Sequence, residues 1–284
     1  MSQATKKAFN REFLEEDYYR HNSKTADAVL HFELCPGYDK KGYRKRVLYS
    51  QTANVLPLYL DIVPENKKDA VLQNLFENVE VTYDCHVNTG ILGTRYILDT
   101  LTQYGRADLA YGLVTQTTYP GWGYMIKEGA TTLWERWEYM AGGGMNSHNH
   151  IMFGSVDTWF YRVLAGINLD ASESGFRKVI IKPYIPADLD YVSASVNTVR
   201  GLVSSSWRKE ANALVLDVTL PVNSEGKINF PLSGLTNPVV KENGRIIYQD
   251  DSSIPGVSGI TAGKRQDGYL TFEVGSGDYS FWIG

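Results

Sequence analysis

The first 168 residues carry apolar positions at helical spacing. This pattern predicts helices over residues 4–16, 51–62, 64–81, 96–104, 107–117 and 153–167. Ser50 is placed to cap the second of these helices, and Pro57 inside it predicts a kink or an early break. The glycine-punctuated segments 86–94 and 119–125 are expected to form a turn and a loop, and residues 21–47 an irregular insertion.

The pattern changes after residue 168, where β-branched residues begin to alternate with polar ones. The alternation predicts strands at 179–182, 192–196, 214–218, 227–230 and 269–274. Short strands separated by turn residues at this rhythm are typical of an antiparallel β-sandwich. The sequence therefore predicts two domains, a helical one over 1–168 and a β-sandwich over 176–284.

The predicted helices are joined by short links, which favour antiparallel helical hairpins arranged in a ring or solenoid. About six helices make only half of a closed double ring of hairpins. The helical domain is therefore expected either to pack as an open half-ring or to have its other half elsewhere.

Composition and charge restrict the function classes. The chain has 284 residues, 43% of them hydrophobic, and a net charge of −4, so nothing indicates a nucleic-acid partner. Cys35 and Cys85 do not have metal-ligand spacing and are expected to be reduced. No metal and no cofactor are expected. The first twenty residues lack the apolar core of a signal peptide and no run is long enough to span a membrane, which predicts a cytoplasmic protein without a membrane partner.

The candidate chemistry is concentrated in residues 129–166. Glu135 stands between Trp134 and Trp137, and the glycine run 142–144 leads into a polar block at 146–150. A carboxylate can take a proton from water, an indole can stack on the C–H face of a sugar, and imidazoles can bind hydroxyls. The alternative is that the tryptophans belong to the core and that Glu135 pairs with Arg136 or another cation.

Further candidates for binding a sugar flank Glu135 in the sequence. His148 and His150 lie in the polar block, and His150 can alternatively cap the helix predicted after it. Trp122 and Tyr124 lie in the aromatic segment 119–125 and are candidates for a pocket wall. Trp134 and Trp137 are three residues apart, so one of the two is expected to face the core.

Four runs of the helical part stand out: QTANVLPLYLDIVPENKK, HVNTGILGTRYILDTL, GRADLAYGLVTQTTYPGWGYMIKEGATTLWERW and MNSHNHIMFGSVDTWFYRVLAGI. They resemble the C-terminal half of bacterial α-L-rhamnosidases of glycoside hydrolase family 78. The following run, IKPYIPADLDYVSASVNTVRGLVSSSWRKE, resembles the start of that family's C-terminal β-sandwich domain. The resemblance implies an α+β multidomain protein, with part of an (α/α)6 barrel before a β-sandwich. It also implies inverting hydrolysis of terminal α-L-rhamnosides. In the family the general base is the glutamate of a W-E-x-W motif, and Glu135 matches it, while Trp134 and Trp137 match the aromatic positions of that motif. His150 matches a residue beside the sugar pocket.

The chain also departs from the family. In the family the general acid comes from the first half of the barrel, and Asp17, Asp27 and Asp39 lie in sequence unlike its motif. The family's usual aromatic residue is replaced by Ile151. The chain on its own is therefore expected to be inactive. Its expected partner is a rhamnose-containing glycan. The alternatives are a protein that binds rhamnose without cleaving it, and a subunit that completes a barrel with a missing N-terminal half or by self-association.

Overall fold

A computed structural model describes residues 2–21, 49–139, 147–232, 234–254, 257–261 and 263–284. The chain divides into two compact units, Met1–Val156 and Asp157–Gly284. The first consists of helices and the second mainly of strands, as the sequence pattern predicts. The limits 1–168 and 176–284 for the two domains stay a prediction.

The first unit is built from short helices joined by tight links. Its helices are α1 Gln3–Phe13, α2 Gln51–Tyr59, α3 Glu65–Glu77, α4 Ile91–Gln103, α5 Ala107–Thr115 and α6 Trp122–Lys127, with a π-helical turn Asn78–Thr82 after α3 and a 3-10 turn Ile151–Gly154. A seventh helix, α7 Ser155–Trp159, crosses into the second unit and continues as a π-helical segment, Phe160–Leu164. α2 packs against α4, and α4 packs in turn against α5.

The start and the end of α2 follow from its sequence. The Ser50 side chain accepts a hydrogen bond from the backbone N–H of Ala53 at 3.1 Å, which confirms the predicted cap. Pro57 lies inside the helix, which ends two residues later at Tyr59. The helix therefore ends three residues before the predicted limit at 62, which agrees with an early break rather than a continued, kinked helix.

The structure corrects three predictions of local structure. The segment 86–94 is not a turn throughout, because α4 begins at Ile91 and includes Gly93. The segment 119–125 is not all loop, because Trp122–Lys127 is helical. The helix predicted over 153–167 consists instead of short 3-10, α and π segments and ends at Leu164. Most of the predicted insertion 21–47 lies outside the described residues.

Gly93 and Gly123 show why the glycine pattern misled the sequence interpretation. A Cβ on Gly93 would lie 2.1 Å from Thr52 Oγ1 of α2, and one on Gly123 would lie 2.3 Å from the Gln116 carbonyl oxygen. Both glycines therefore serve close packing between segments rather than chain reversal. Sequence alone does not distinguish these two uses of glycine.

The second unit contains two β-sheets. Within the described residues its strands are β1 Ile167–Leu169, β2 Lys178–Ile181, β3 Tyr191–Thr198, β4 Gly201–Glu210, β5 Ala213–Leu220, β6 Glu225–Pro231, β7 Val240–Glu242, β8 Arg245–Gln249, β9 Ser252–Ser253, β10 Lys264–Gln266, β11 Tyr269–Val274 and β12 Gly277–Ile283. The five-stranded sheet has the order β1-β2-β6-β11-β10, and the seven-stranded sheet β3-β4-β5-β12-β7-β8-β9. Described strand pairs are antiparallel except β2 with β6, which is parallel.

Inward-facing apolar side chains from both sheets form one core. Phe230 and Phe272 come from the five-stranded sheet, and Trp207 and Phe281 come from the seven-stranded one. The Trp207 indole N–H donates to the Leu164 carbonyl oxygen at 2.7 Å, so this buried polar group is satisfied. These contacts confirm the predicted sandwich. Among the described residues, no helix has the length and apolar character required to cross a bilayer.

Candidate active site

Glu135 lies in an irregular segment between α6 and the 3-10 turn, and it is half-buried. Its backbone N–H donates to the Ser147 carbonyl oxygen at 2.8 Å, and its Oε2 accepts from the Ser147 N–H at 3.0 Å. These two reciprocal hydrogen bonds join the tryptophan motif, residues 134–137, to Ser147 of the polar block. The predicted catalytic carboxylate and the two predicted histidines are therefore brought onto adjoining segments.

The cation beside Glu135 in the sequence pairs with a different carboxylate. Arg136 forms an ion pair through Nη2 with Glu138 Oε1. Among the described residues, Glu135 Oε1 has neither a hydrogen bond nor an ion pair. The pairing of Glu135 with Arg136 that composition left open is not what the structure shows.

Trp134 and His148 form an aromatic stack beside Glu135. Their ring centroids lie 5.1 Å apart with an interplanar angle of 28°, and Tyr139 lies 5.4 Å from Trp134 and 5.5 Å from His148. The hydroxyl of Thr132 also donates to the His148 carbonyl oxygen. Trp134 is 3% exposed, whereas Tyr139 and His148 are exposed, so these two form the outer side of the stack.

Trp137 belongs to a second, more deeply packed group. Its ring stacks on Phe153 at 3.9 Å and 10°, and its edge meets Trp122 at 5.0 Å and 84°. Its indole N–H donates to the Thr89 carbonyl oxygen at 2.7 Å, and that of Trp122 to the Phe153 carbonyl oxygen at 3.1 Å. Trp137 and Trp122 are 7% and 6% exposed. Both indoles are thus committed to packing, and their assignment to substrate binding stays a prediction.

His150 precedes the 3-10 turn and is half-buried. Its backbone N–H donates to the Leu133 carbonyl oxygen at 2.8 Å, which holds it beside the tryptophan motif. Its side chain does not cap the turn. Its Nδ1 is buried and has no hydrogen-bond partner among the described residues. An unsatisfied buried nitrogen next to the carboxylate segment can serve a ligand hydroxyl.

Two further groups complete the placement of the predicted residues. Tyr124 is half-buried on α6, where its ring meets Tyr119 edge-on at 5.4 Å. The glycine run 142–144 and Asn146 lie outside the described residues. Ile151, which stands where the resemblance implies an aromatic side chain, is exposed.

The described residues do not contain a group of three or more His, Cys, Asp or Glu side chains able to hold a metal ion. Cys85 is half-buried and free, and burial together with the neighbouring Asp84 and Glu80 carboxylates raises the pKa of its thiol. A thiol with a raised pKa is a poor nucleophile at neutral pH. The surroundings of Cys85 therefore favour the protonated form of its thiol.

Sequence reasoning did not single out four groups that shape this site: the Ser147 backbone, the Thr89 carbonyl, Tyr139 and Phe153. Backbone donors and acceptors have no sequence signal, because every residue type except proline supplies them. Tyr139 and Phe153 could have been noticed as aromatic residues within the candidate region 129–166. Only folding shows that their rings meet Trp134 and Trp137.

Comparison with known proteins gives consistent matches over both units. The model of the bacterial α-L-rhamnosidase six-hairpin glycosidase domain matches residues 1–164, and that of the bacterial α-L-rhamnosidase C-terminal domain matches residues 166–245. An α-L-rhamnosidase of Streptomyces avermitilis is 33% identical over 240 residues, which cover 82% of this chain and 21% of that protein. An α-L-rhamnosidase of Formosa agariphila is 37% identical over 198 residues, which cover 68% of this chain and 21% of that protein. The chain thus spans about a fifth of the length of these curated relatives.

Solved structures of the same kind match the fold. The α-L-rhamnosidase from Dictyoglumus thermophilum has a TM-score of 0.80 and 43% identity, covering 98% of this chain and 27% of that one. The Streptomyces avermitilis enzyme complexed with L-rhamnose has a TM-score of 0.70 and 33% identity, and the match covers 82% of this chain and 21% of that one. These matches confirm the expected fold class, a partial six-hairpin helical barrel followed by a β-sandwich. The chain belongs to the bacterial α-L-rhamnosidases, a family of glycoside hydrolases, and carries sequence of both the six-hairpin glycosidase domain and the C-terminal β-domain.

Proposed function

We propose that this chain supplies the general-base side of an inverting α-L-rhamnosidase site, with Glu135 as the base. The observation that supports this most is the position of the Glu135 carboxylate. One of its oxygens is held by the Ser147 N–H, and the other has no partner among the described residues. A carboxylate held in this way has a fixed direction and a free oxygen that can accept a proton.

The proposed reaction needs two carboxyl groups on opposite sides of the sugar. Glu135 takes a proton from a water molecule while the water oxygen attacks the anomeric carbon. A carboxylic acid protonates the leaving glycosidic oxygen. In an inverting enzyme the two groups lie roughly 6.5–9.5 Å apart, which leaves room for the water. The product has the opposite anomeric configuration.

The histidines near Glu135 are proposed to hold the sugar. The unsatisfied Nδ1 of His150 can bond a rhamnose hydroxyl, and His148 presents an exposed ring over Trp134. The relative from Streptomyces avermitilis binds L-rhamnose, which favours the same sugar here. Terminal α-L-rhamnosides of larger glycans are the proposed substrates.

The general acid is not assigned to a described residue, since the family resemblance places it in the first half of the barrel. A base without its acid loses much of the catalytic effect. We therefore propose that the 284-residue chain alone does not hydrolyse rhamnosides and that it acts together with the remaining hairpins of the barrel.

The test is to restore a complete barrel. Residues 1–284 replace the matching part of the Dictyoglumus thermophilum enzyme, and the chimera is assayed with p-nitrophenyl α-L-rhamnoside. Glu135→Gln is expected to lower kcat by about 10²–10⁴-fold, the usual contribution of a general base. Proton NMR is expected to show β-L-rhamnose as the first product. The isolated 284-residue chain is expected to show no turnover.

Glu138→Gln is the matched control, because Glu138 lies in the same segment but pairs with Arg136. Its kcat is expected to stay close to that of the unsubstituted chimera. If Glu135→Gln keeps more than a tenth of the activity, Glu135 is not the base. Rhamnose binding by the isolated chain without chimera activity would favour a non-catalytic binder, and self-association in light scattering would favour a barrel-completing subunit.

A further inference from the structure

The outward face of the seven-stranded sheet carries polar side chains in register. Side chains alternate between the two faces of a strand, so the buried Val203, Ser205 and Trp207 point inward while Ser204 and Ser206 point outward. The register extends this outward set across four neighbouring strands. One row consists of Ser193, Ser206, Asp217 and Ser280, and the next of Ser195, Ser204, Thr219 and Asp278.

The small side chains of these two rows leave an open depression of about 550 Å³. A third row beside it is bulkier and contains Tyr191, Arg208, Val215, Trp282 and Lys241. In that row Lys241 Nζ lies 4.5 Å from the centroid of the Trp282 ring. Tyr161 and Asn243 also line the depression. The result is a hollow that is lined by hydroxyl groups and bordered by aromatic side chains.

The polar groups in the hollow are only partly satisfied by each other. Asp217 accepts from Ser280 Oγ at 2.6 Å and from Arg208 Nη1 at 3.0 Å, and Asp278 accepts from Thr219 Oγ1 at 2.7 Å. The hydroxyls of the remaining residues of the two rows have no hydrogen-bond partner within the described part of the chain; these are Ser193, Ser195, Ser204 and Ser206. Each hydroxyl can donate one hydrogen bond and accept others.

These features select a ligand class. Apart from its aromatic rings, the lining has only Ala194 and Val218 as apolar residues, which disfavours a hydrophobic ligand. Its two carboxylates disfavour an anion or a nucleic acid. A polyhydroxylated, uncharged molecule fits, because its hydroxyls can donate to carboxylates and accept from serines while its C–H faces meet aromatic rings.

We propose that this depression, formed by strands β3, β4, β5 and β12, binds a neutral oligosaccharide. The site belongs to the second unit, whereas Glu135 belongs to the first. It is a binding site without a catalytic role, and through it the β-sandwich binds a glycan chain.

The test uses the full 284-residue chain and a neutral hexasaccharide of α-linked L-rhamnose. The choice of this probe rests on the proposed function. Backbone amide shifts are expected to change in 193–206, 217–219 and 278–280 on titration. Ser206→Tyr fills the hollow with a residue that strands favour and is expected to weaken binding at least tenfold. Lys227→Tyr, on the five-stranded sheet, is the matched control and is expected to bind like the unsubstituted chain.

Amide shifts absent from those strands, or unchanged binding by Ser206→Tyr, would overturn the proposal. If Ser206→Tyr does not fold, Ser204→Val removes one hydroxyl from the same hollow at little steric cost and must weaken binding instead. Shifts confined to residues 132–151 would support the sugar pocket near Glu135 and reject the β-sandwich site. The turnover of the chimera with Glu135→Gln tests only the proposed general base, whereas the amide shifts and the binding by Ser206→Tyr test only the β-sandwich site. The two proposals therefore fail by different measurements.

Discussion

At the scale of single residues, the side chain next in the sequence to Glu135 is not its partner in the structure. Glu135 adjoins Arg136 but bonds to Ser147, twelve positions away, while Arg136 pairs with Glu138. Local charge patterns suggest neighbours, yet an irregular segment directs consecutive side chains to different sides. The carboxylate that we propose as the general base therefore keeps one oxygen without a partner among the described residues, rather than forming a salt bridge with its neighbour.

Trp137 is the residue whose replacement should most clearly loosen the site. Trp137→Phe keeps a stacked ring on Phe153 but removes the indole donor, leaving the Thr89 carbonyl without it. Leaving a buried acceptor unsatisfied costs about 1–3 kcal/mol. The free energy of unfolding of the first unit, measured by denaturant titration with circular dichroism at 222 nm, is expected to fall by that amount.

The matched control is Tyr139→Phe in the same segment. Tyr139 is half exposed, and surface changes of this kind usually alter stability by less than about 0.5 kcal/mol. Equal stabilities for Trp137→Phe and Tyr139→Phe would show that the bond to Thr89 does not hold the tryptophan segment in place.

At the scale of elements, the contact between α2 and α4 depends on the absence of a side chain. The Cβ that any residue other than glycine would place at position 93 comes within 2.9 Å of the Cβ of Thr52, as well as closer to its hydroxyl. Since Thr52 is β-branched and part of a helix, it cannot swing away freely. The two helices would have to separate.

Gly93→Ala therefore sets two effects against each other. Alanine is about 1 kcal/mol better than glycine in a helix interior, whereas overpacking a tight contact costs about 1–3 kcal/mol. Because the clash involves Thr52 Cβ and not only its terminal oxygen, overpacking is expected to win and the melting temperature to fall. Differential scanning calorimetry measures the change.

Gly90→Ser is the control for this substitution. Gly90 is the N-cap of α4, and a Cβ there meets nothing within 4 Å. Serine is a good N-cap residue, so the melting temperature is expected to stay the same or rise slightly. A Gly93→Ala protein as stable as Gly90→Ser would mean that the helices adjust without cost.

At the scale of the whole molecule, the second unit has a core of its own. Side chains from both sheets meet in it, including Ile181, Phe230, Phe272 and Phe281. A domain that buries a complete apolar core is expected to fold alone. Residues 157–284 expressed separately should therefore unfold in one cooperative transition. Calorimetry or tryptophan fluorescence measures this transition.

A shorter fragment, 191–284, tests whether independent folding depends on the complete apolar core. It lacks β1 and β2, and so removes Ile167, Val179 and Ile181 from the core and leaves β6 without its parallel partner. This fragment is expected to have no cooperative transition. If it unfolds like 157–284, the core does not depend on those two strands.

The sequence by itself determined the order of helices then strands and the Ser50 cap, and it placed the chain in its family. These properties depend on periodicity, capping and motif letters, which are local along the chain. The tertiary structure decided that Gly93 packs against Thr52, that Trp134 and Trp137 are both buried, and that Glu135 meets Ser147. These outcomes depend on contacts between distant segments, and a pattern read along the chain does not contain the distances across which those contacts form.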